Sequence, residues 1–356
     1  MTPRARVERA LAGGHSDKVP FTIYESKIPQ CSAERDMRNH GLCIVKRDVP
    51  VFKTHRPHVK VTQITQWQAE RPLARTIYET PMGCVETLSE DAGFTTWYHE
   101  KMFKTVDDYK VLRFLIEDEV YEPTYASFAQ AERDLGEDAI FRANFGLEPL
   151  QMLISGTLMD MQTFCYEWMD HRDEILQLYD AIVVNRRKLY PIIAASPVSH
   201  VNYGGNVTPE IIGLKTFEQY YVPHYNEAAE VMHAAGKLIG CHFDANCKLL
   251  SQAIARTDLD YIEAFTPAPD TDMTLGEARQ AWPDKVIWMN FPSSMHLQPD
   301  PVVEEKTIAL LDELPAIDGI LMGITEDMPP DRWRDSCRAI MRGLDRHAQE
   351  RPQLYR

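Results

Sequence analysis

The sequence lacks a long apolar run and is poor in positive charge. None of its apolar stretches approaches the roughly 18–20 residues that span a bilayer, and Arg4 and Arg6 near the start precede no apolar segment typical of a secretory signal. Its 38 Lys and Arg residues are outnumbered by 53 Asp and Glu, which gives a formal net charge of −15. Nucleic acid binds clustered Lys and Arg. We therefore expect a cytoplasmic protein without a nucleic-acid or membrane partner.

Cysteine is also scarce. The seven cysteines are odd in number and scattered, which favours reduced thiols over a disulfide framework. The sequence has no low-complexity segment. With 356 residues, 44% of them hydrophobic, the chain has enough material for one large core. Barrels built from strands and helices reach this length as one unit, so we expect a single domain over residues 1–356.

The C-terminal half repeats a strand and a helix. Apolar runs centred near Ile239, Ile262, Ile287 and Ile320 are separated by segments with helical spacing of apolar residues. The runs are continuous rather than alternating, which is typical of parallel strands that are covered on both faces. This half therefore predicts four parallel strands.

The N-terminal half adds further strands and one excursion. Residues 59–99 alternate polar and apolar residues and are broken at Pro72 and Pro81, which indicates an antiparallel insert. The pattern as a whole predicts an (α/β)8 TIM barrel with an antiparallel β insert after the second strand. Its eight strands are expected to start near Val19, Leu42, Ala139, Val198, Leu238, Asp260, Lys285 and Ile317.

Ionisable residues follow two neighbouring strands of the C-terminal half. His242 and Asp244 share one side of their strand, and Glu263 follows the next strand. The carboxyl ends of barrel strands are where catalytic groups gather. We therefore expect His242, Asp244 and Glu263 to form a catalytic or metal-binding group. The alternatives are that Asp244 caps a helix near Asn246 and that Glu263 faces the helix layer.

Other strand ends carry polar or aromatic side chains suited to a substrate. An aromatic pocket with few polar groups would fit an aryl ether. The alternatives are a turn that needs Asn and Gly, and aromatic packing between strands and helices. The expected substrate-binding residues are Tyr24, Asn144, Asn202, Tyr203 and Asn290.

Three segments carry a family resemblance. They are R-V-E-R-A-L-A-G-G-H-S-D-K-V-P at residues 6–20, T-P-M-G at residues 80–83, and residues 208–225. Over residues 4–344 the chain resembles the uroporphyrinogen decarboxylase superfamily, which contains porphyrin decarboxylases and cobalamin-dependent methyltransferases. The resemblance implies a barrel with its site at the C-terminal mouth. It also implies a strand, a loop and a helix from near Phe217 within residues 208–225.

The site residues separate the branches of this superfamily. No paired arginines follow the first predicted strand, and a pocket for a tetrapyrrole with many carboxylates should be cationic, so we discount porphyrin decarboxylation. The thiol-methylating branch carries His-x-Cys and a later Cys that hold zinc. Here His242 is followed by Asp244, and Glu326 lies where the later Cys would be expected. The oxygen-rich set His242, Asp244, Glu263 and Glu326 would hold zinc or another divalent ion, or act as acid and base without metal.

Such a site suits cleavage of a methyl ether, whose leaving oxygen needs a metal ion or a proton. The resemblance therefore predicts a corrinoid-dependent methyltransferase for O-demethylation. It would move a methyl group from a small O-methylated, methoxyaromatic substrate to cobalamin on a partner corrinoid protein. A homodimer is a further expectation. The alternatives are a decarboxylase of a small or porphyrin-like carboxylated substrate and a non-catalytic corrinoid-binding barrel.

Overall fold

The computed structural model describes residues 1–47, 49–68, 70–93 and 95–355. Ala69 and Phe94, which the sequence places in the insert, lie outside the described residues. The described chain divides into two compact units. The first comprises Met1–Val51, Tyr125–Gly146 and Pro197–Arg356, and the second comprises Phe52–Thr124 and Leu147–Ser196.

Strands and helices are numbered here along the chain. The strands are β1 Phe21–Tyr24, β2 Leu42–Lys46, β3 Phe52–His55, β4 Lys60–Gln68, β5 Arg71–Thr80, β6 Gly83–Asp91, β7 Thr96–Glu100, β8 Val120–Pro123, β9 Ala139–Phe141, β10 Ala143–Asn144, β11 His200–Asn202, β12 Leu238–His242, β13 Tyr261–Phe265, β14 Val286–Asn290 and β15 Ile320–Ile324. The α-helices are α1 Pro3–Leu11, α2 Ser32–Asn39, α3 Tyr109–Glu117, α4 Tyr125–Leu135, α5 Pro149–Ser155, α6 Met161–Asp170, α7 Arg172–Arg187, α8 Leu189–Ala194, α9 Pro209–Tyr220, α10 Val222–Ala234, α11 Ser251–Ala255, α12 Leu275–Ala281, α13 Asp300–Asp312 and α14 Trp333–Glu350.

The first unit is built on one parallel sheet. Its strand order is β10-β11-β12-β13-β14-β15-β1-β2-β9, and each neighbouring pair is parallel. The two outermost strands, β9 and β10, are consecutive in the chain and are separated by Arg142 alone. They are therefore the halves of one interrupted strand, so the order returns to its start after eight strand positions. This confirms the predicted (α/β)8 barrel fold.

Local sequence signals set several helix starts in this unit. The Thr2 hydroxyl accepts a hydrogen bond from the Ala5 amide at 3.2 Å and caps α1. Thr274 and Glu277 form a reciprocal capping box at α12. Inside the sheet, large side chains such as Tyr261 and Trp288 are almost fully buried and belong to one core cluster. This packed interior holds the strand ends in fixed positions.

The second unit contains the insert. Strands β4, β5, β6 and β7 form a four-stranded antiparallel sheet of their own, as the alternating pattern predicts. The pairing of β3 with β8 was not predicted, because these strands are short and about 65 residues apart in the chain. Helices α5 and α6 were not predicted either.

One segment differs from the expectation drawn from the resemblance. Residues 208–225 contain no strand, since α9 begins at Pro209 and is followed by α10 from Val222. Pro209 occupies the first turn of α9, where its missing N–H is tolerated, and Gly213 provides a kink at φ 67°. The expected helix start near Phe217 was therefore wrong.

The sequence composition led to expectations about the cysteines and about membrane-spanning segments. All seven cysteines are free thiols. Within the described chain, no helix is both long enough and apolar enough to cross a membrane.

Candidate active site

The candidate site lies at the carboxyl ends of the barrel strands. His242 is the last residue of β12, and it is paired in register with Glu263 of the adjacent strand β13. Tyr24 is the last residue of β1. Although these residues are far apart in the sequence, parallel strands bring their carboxyl ends to one edge.

The carboxylate of Glu263 is the centre of this group and is fully buried. Tyr24 donates a short hydrogen bond from its hydroxyl to Oε1. The Asn202 amide donates to Oε2 at 3.2 Å, and His242 Nδ1 lies 2.7 Å from Oε2. Arg142 Nη1 lies 2.9 Å from Oε1 in an ion pair whose side chains are 3% and 0% exposed. Glu263 is therefore held on both oxygens.

Electrostatics keep this buried pair charged. Burial alone would raise the pKa of the Glu263 carboxyl, but the positive charges of Arg142 and His242 hold it well below its usual range. Burial disfavours the charged guanidinium of Arg142, yet Glu263 and Tyr24 raise its pKa above the ordinary value. Burial raises the pKa of the Tyr24 phenol, so this side chain remains a neutral donor. The group is a preformed anion–cation network.

Glu263 fixes the orientation of the His242 ring. Because Nδ1 faces Glu263, the opposite nitrogen faces away, and Nε2 lies 3.3 Å from Asp244 Oδ2. Burial of the ring disfavours its charged form, but the negative charge of Glu263 and the hydrogen bonds to Asp244 and Glu263 raise the pKa of His242 well above its ordinary value. In the absence of a metal ion, the ring is therefore a cation between two carboxylates.

The Nε2 side of His242 carries two carboxyl groups, those of Asp244 and Glu326. One potential ligand atom from each of the three residues lies within 4.8 Å of the other two. All three side chains are half-buried. Burial, together with the negative charge of Asp244, raises the pKa of Glu326. Two carboxyl groups in this proximity repel one another, and a cation between them would remove the repulsion.

Backbone irregularities lie beside these side chains. The register between β13 and β14 shifts between Glu263 and Phe265, and the intervening Ala264 has φ 60°, in the left-handed region. Bulges of this kind redirect the strand and are frequent next to active sites. Gly205 lies so close to His242 that a Cβ atom there would be 3.1 Å from the His242 Cβ. A side chain at position 205 would therefore require His242 to shift by a few tenths of an ångström.

The remaining residues expected from the sequence occupy different environments. Asn202 contacts Glu263 directly, and Tyr203 packs against Phe145 with ring centroids 5.0 Å apart. Asn290 is buried, accepts a hydrogen bond from the Thr325 amide at 2.9 Å and thereby holds the turn after β15.

Asn144 is exposed, and its side chain accepts a hydrogen bond from the Gly146 amide at 2.7 Å. The structure thus joins Tyr24 and Asn202 to the group around His242 and Glu263, and the side chains of Asn144 and Asn290 accept hydrogen bonds from backbone amides. Glu263 lies outside the three-residue group because its oxygens face Nδ1.

The sequence did not reveal two arginines beside Tyr24. Arg142 occupies the interruption between β9 and β10, and its Nη2 donates to the Tyr24 hydroxyl at 3.1 Å. Arg47 follows β2, and its guanidinium carbon lies 3.6 Å from the centre of the Tyr24 ring. Arg47 directly follows a predicted strand, which was an available signal, whereas Arg142 lies within the predicted strand from Ala139 to Phe145. Neither residue belongs to a recognisable motif.

The three-residue group fits a divalent metal ion by its donor chemistry. Zinc binds imidazole nitrogen and carboxylate oxygen at about 2.0–2.2 Å, and a catalytic zinc site has three protein ligands and one open position. His242, Asp244 and Glu326 supply one nitrogen and two oxygens. A ligating histidine usually donates its other N–H to a carboxylate. Glu263 provides that carboxylate at Nδ1.

Comparison with known proteins gives a structural match and no sequence match. No protein-family model matches the chain, and no curated protein matches its sequence. Among solved structures, the chain is similar to a methyltransferase from Methanosarcina mazei, with a TM-score of 0.58 and 10% sequence identity. The match covers 97% of this chain and 99% of that protein. At this identity the likeness shows a shared fold over nearly the full length of both chains.

Proposed function

We propose that this protein is a corrinoid-dependent methyltransferase that takes a methyl group from a small O-methylated, methoxyaromatic compound. The acceptor is the cobalamin of a separate corrinoid protein. The observation that carries the proposal is the placement of His242, Asp244 and Glu326 around one point at the barrel mouth. The fold shared with a methyltransferase supports the reaction class.

The reaction breaks the bond between the methyl carbon and the ether oxygen, and the bonding electrons remain on the oxygen. That oxygen needs positive charge or a proton. We propose that His242, Asp244 and Glu326 hold a divalent ion, zinc by its ligand preferences, which would supply Lewis acidity when bound. Glu263 keeps the proton on Nδ1 of His242, so that Nε2 is free to bind.

Without metal, the same group supports acid catalysis. His242 would donate its Nε2 proton to the leaving oxygen, since its pKa lies well above the ordinary value. Asp244 Oδ2, 3.3 Å from Nε2, would accept a hydrogen bond from the Nε2 proton until that proton is transferred. Elemental analysis of the purified protein distinguishes the mechanism with a metal ion from the mechanism with His242 as the acid. One zinc per chain supports the Lewis-acid form, and activity in metal-free protein supports the proton donor.

The test of the function is methyl transfer from methoxyaromatics to cob(I)alamin, followed by the corrinoid absorbance. Wild type should demethylate at least one donor. His242→Ala should lose activity by about 10³-fold or more, because it removes the group that faces the leaving oxygen. Its thermal stability should fall by less than that of Glu263→Gln, since Glu263 keeps Tyr24, Arg142 and Asn202 as partners.

Asp244→Asn separates a charge role from a shape role. The amide keeps the shape of the carboxylate but loses its charge, so zinc content and activity should both fall. A residue that only caps a helix would tolerate Asn almost without cost. Full activity in both variants, with unchanged binding of a corrinoid protein, would favour the non-catalytic corrinoid-binding barrel.

A decarboxylase is the second candidate, and Arg47 is the observation that favours it. Its guanidinium lies on the Tyr24 ring, and its buried Nε has no hydrogen-bond partner among the described residues. Guanidinium groups bind carboxylates in charge-assisted pairs. The two candidates differ in product, because a carboxylated methoxyaromatic would either release CO2 or transfer its methyl group. Under methyl transfer, Arg47→Gln should raise KM for carboxylated donors and leave KM for uncharged donors unchanged.

A further inference from the structure

The two edges of the four-stranded insert sheet are built differently. The β7 edge has five residues, its register with β6 shifts between Leu88 and Ser89, and His99 pairs with Glu90 at 2.9 Å. Short length, bulges and charge are features that keep an edge strand from pairing with another chain. This edge is therefore protected.

The β4 edge has little of this protection. Its nine residues, K-V-T-Q-I-T-Q-W-Q, pair with β5 in nine successive pairs without a register shift. Lys60 is its one charged residue, and proline is absent. Within the part of the chain that the structure describes, the backbone of β4 pairs with β5 alone. Its outer N–H and C=O groups are therefore available to another strand.

Apolar side chains on this edge are exposed to solvent. Val61, Ile64 and Trp67 are 53%, 48% and 69% exposed. Side chains alternate along a strand, so Val61 and Trp67 lie on one face of the sheet and Ile64 on the other. A long, exposed strand with apolar residues on both faces is typical of an interaction site.

The sequence of β4 is complementary to itself. In an antiparallel pair of two β4 strands centred on Ile64, that residue faces its own copy and Val61 faces Trp67. Lys60 then faces the neutral Gln68, so the pairing opposes no like charges. The remaining positions pair polar residues, Thr62 with Gln66 and Gln63 with Thr65. A two-fold interface needs one patch that fits its own copy, and this strand has that symmetry.

We propose that two copies of this chain pair through β4 and join their insert sheets into one eight-stranded antiparallel sheet. The two-fold axis passes between the Ile64 residues. Each half of the junction gains a Val61–Trp67 cross-strand pair, a combination of β-branched and aromatic residues that stabilises antiparallel sheets. A second copy is the occupant because the sequence pattern matches itself. The proposal does not depend on the reaction at the barrel mouth.

The test is the solution mass of the intact chain by sedimentation or light scattering. Wild type should have twice the 40.9 kDa mass of one chain at micromolar concentration. Ile64→Lys places two ammonium groups opposite each other at the axis and should weaken the dimer by more than tenfold. Thr96→Lys adds the same charge to the exposed β7 edge as a matched control and should leave the dimer intact.

A mixing experiment tests the register. Ile64→Glu alone should also be monomeric, whereas an equimolar mixture of Ile64→Lys and Ile64→Glu should regain the dimer mass, because opposite charges then face each other across the axis. Circular dichroism checks that each variant is folded. If one variant is poorly soluble alone, the mass of the mixture still tests whether the two chains pair through β4. A monomeric wild type, an undiminished Ile64→Lys dimer, or a mixture that stays monomeric would overturn the proposal.

Discussion

The two sides of the His242 imidazole have opposite character. On the Nδ1 side, Glu263 is fully buried and receives contacts on both carboxylate oxygens from Tyr24, Asn202 and Arg142. On the Nε2 side, Asp244 and Glu326 are half-buried and lie close together. The pKa of Glu263 is lowered and that of Glu326 is raised. One carboxylate therefore orients the ring, and we propose that the other two form the reactive face.

The largest effect on stability is expected from Glu263→Gln. This change removes the negative charge and leaves the Arg142 guanidinium buried without its counter-ion. Loss of one partner of a buried ion pair costs about 3–5 kcal/mol. The free energy of unfolding, measured with denaturant, should fall by that amount.

Glu326→Gln is the matched control on the other side of the ring, and in metal-free protein it should not lower stability. An equal fall in the free energy of unfolding in both variants would contradict the different roles of Glu263 and Glu326.

The pH dependence of stability should have opposite signs for the two glutamates in metal-free protein. The lowered pKa of Glu263 means that its contribution is fully present above the unfolded-state pKa of about 4.3 and is lost as the pH falls. The raised pKa of Glu326 means that its cost is absent below about pH 4.3, grows as the pH rises from there to the folded-state pKa, and is fully present above it.

Glu326→Gln should therefore be more stable than the metal-free wild type at pH 7 and equal to it near pH 4. Denaturant titrations at both pH values measure this difference. Added zinc should reverse the order at pH 7, because an ion bound to the native state stabilises wild type more than the variant. A variant that is less stable than metal-free wild type at pH 7 would show that Glu326 has a structural partner.

The smallest effect is expected at Asn144, which is exposed outside the group around His242. Asn144→Ala removes one hydrogen bond to the Gly146 amide and should cost about 0.5–1.5 kcal/mol. Zinc content and methyl transfer should stay at the wild-type level. A fall in activity larger than the fall in stability would identify Asn144 as a substrate-binding residue.

The fold was largely predictable because its signals are local. Most barrel strands contain a compact apolar run, and observed starts such as Leu42, Ala139 and Leu238 coincide with the predicted ones. The β3–β8 pair was missed because each strand has four residues and their pairing is non-local. The resemblance misassigned residues 208–225, where Pro209 starts a helix in place of the expected strand.

The candidate site was predictable to the extent that parallel strands align their carboxyl ends. That rule brings His242 and Glu263 together, and the loop after β15 adds Glu326. The alignment of strand ends does not predict which side of the His242 ring each carboxylate faces. Arg142 escaped notice because its burial and pairing depend on an interruption between β9 and β10 that no sequence pattern indicates.

We propose that the Nε2 side of His242 is the reactive face and holds a divalent ion. The most direct measurement is the anomalous diffraction signal of a crystal grown with excess zinc. One peak should lie about 2.0–2.2 Å from His242 Nε2 and from carboxylate oxygens of Asp244 and Glu326. Glu263 should remain hydrogen-bonded to Nδ1. A peak on Glu263 or Nδ1, or no peak at this position, would show that the Nε2 side of His242 does not hold the ion.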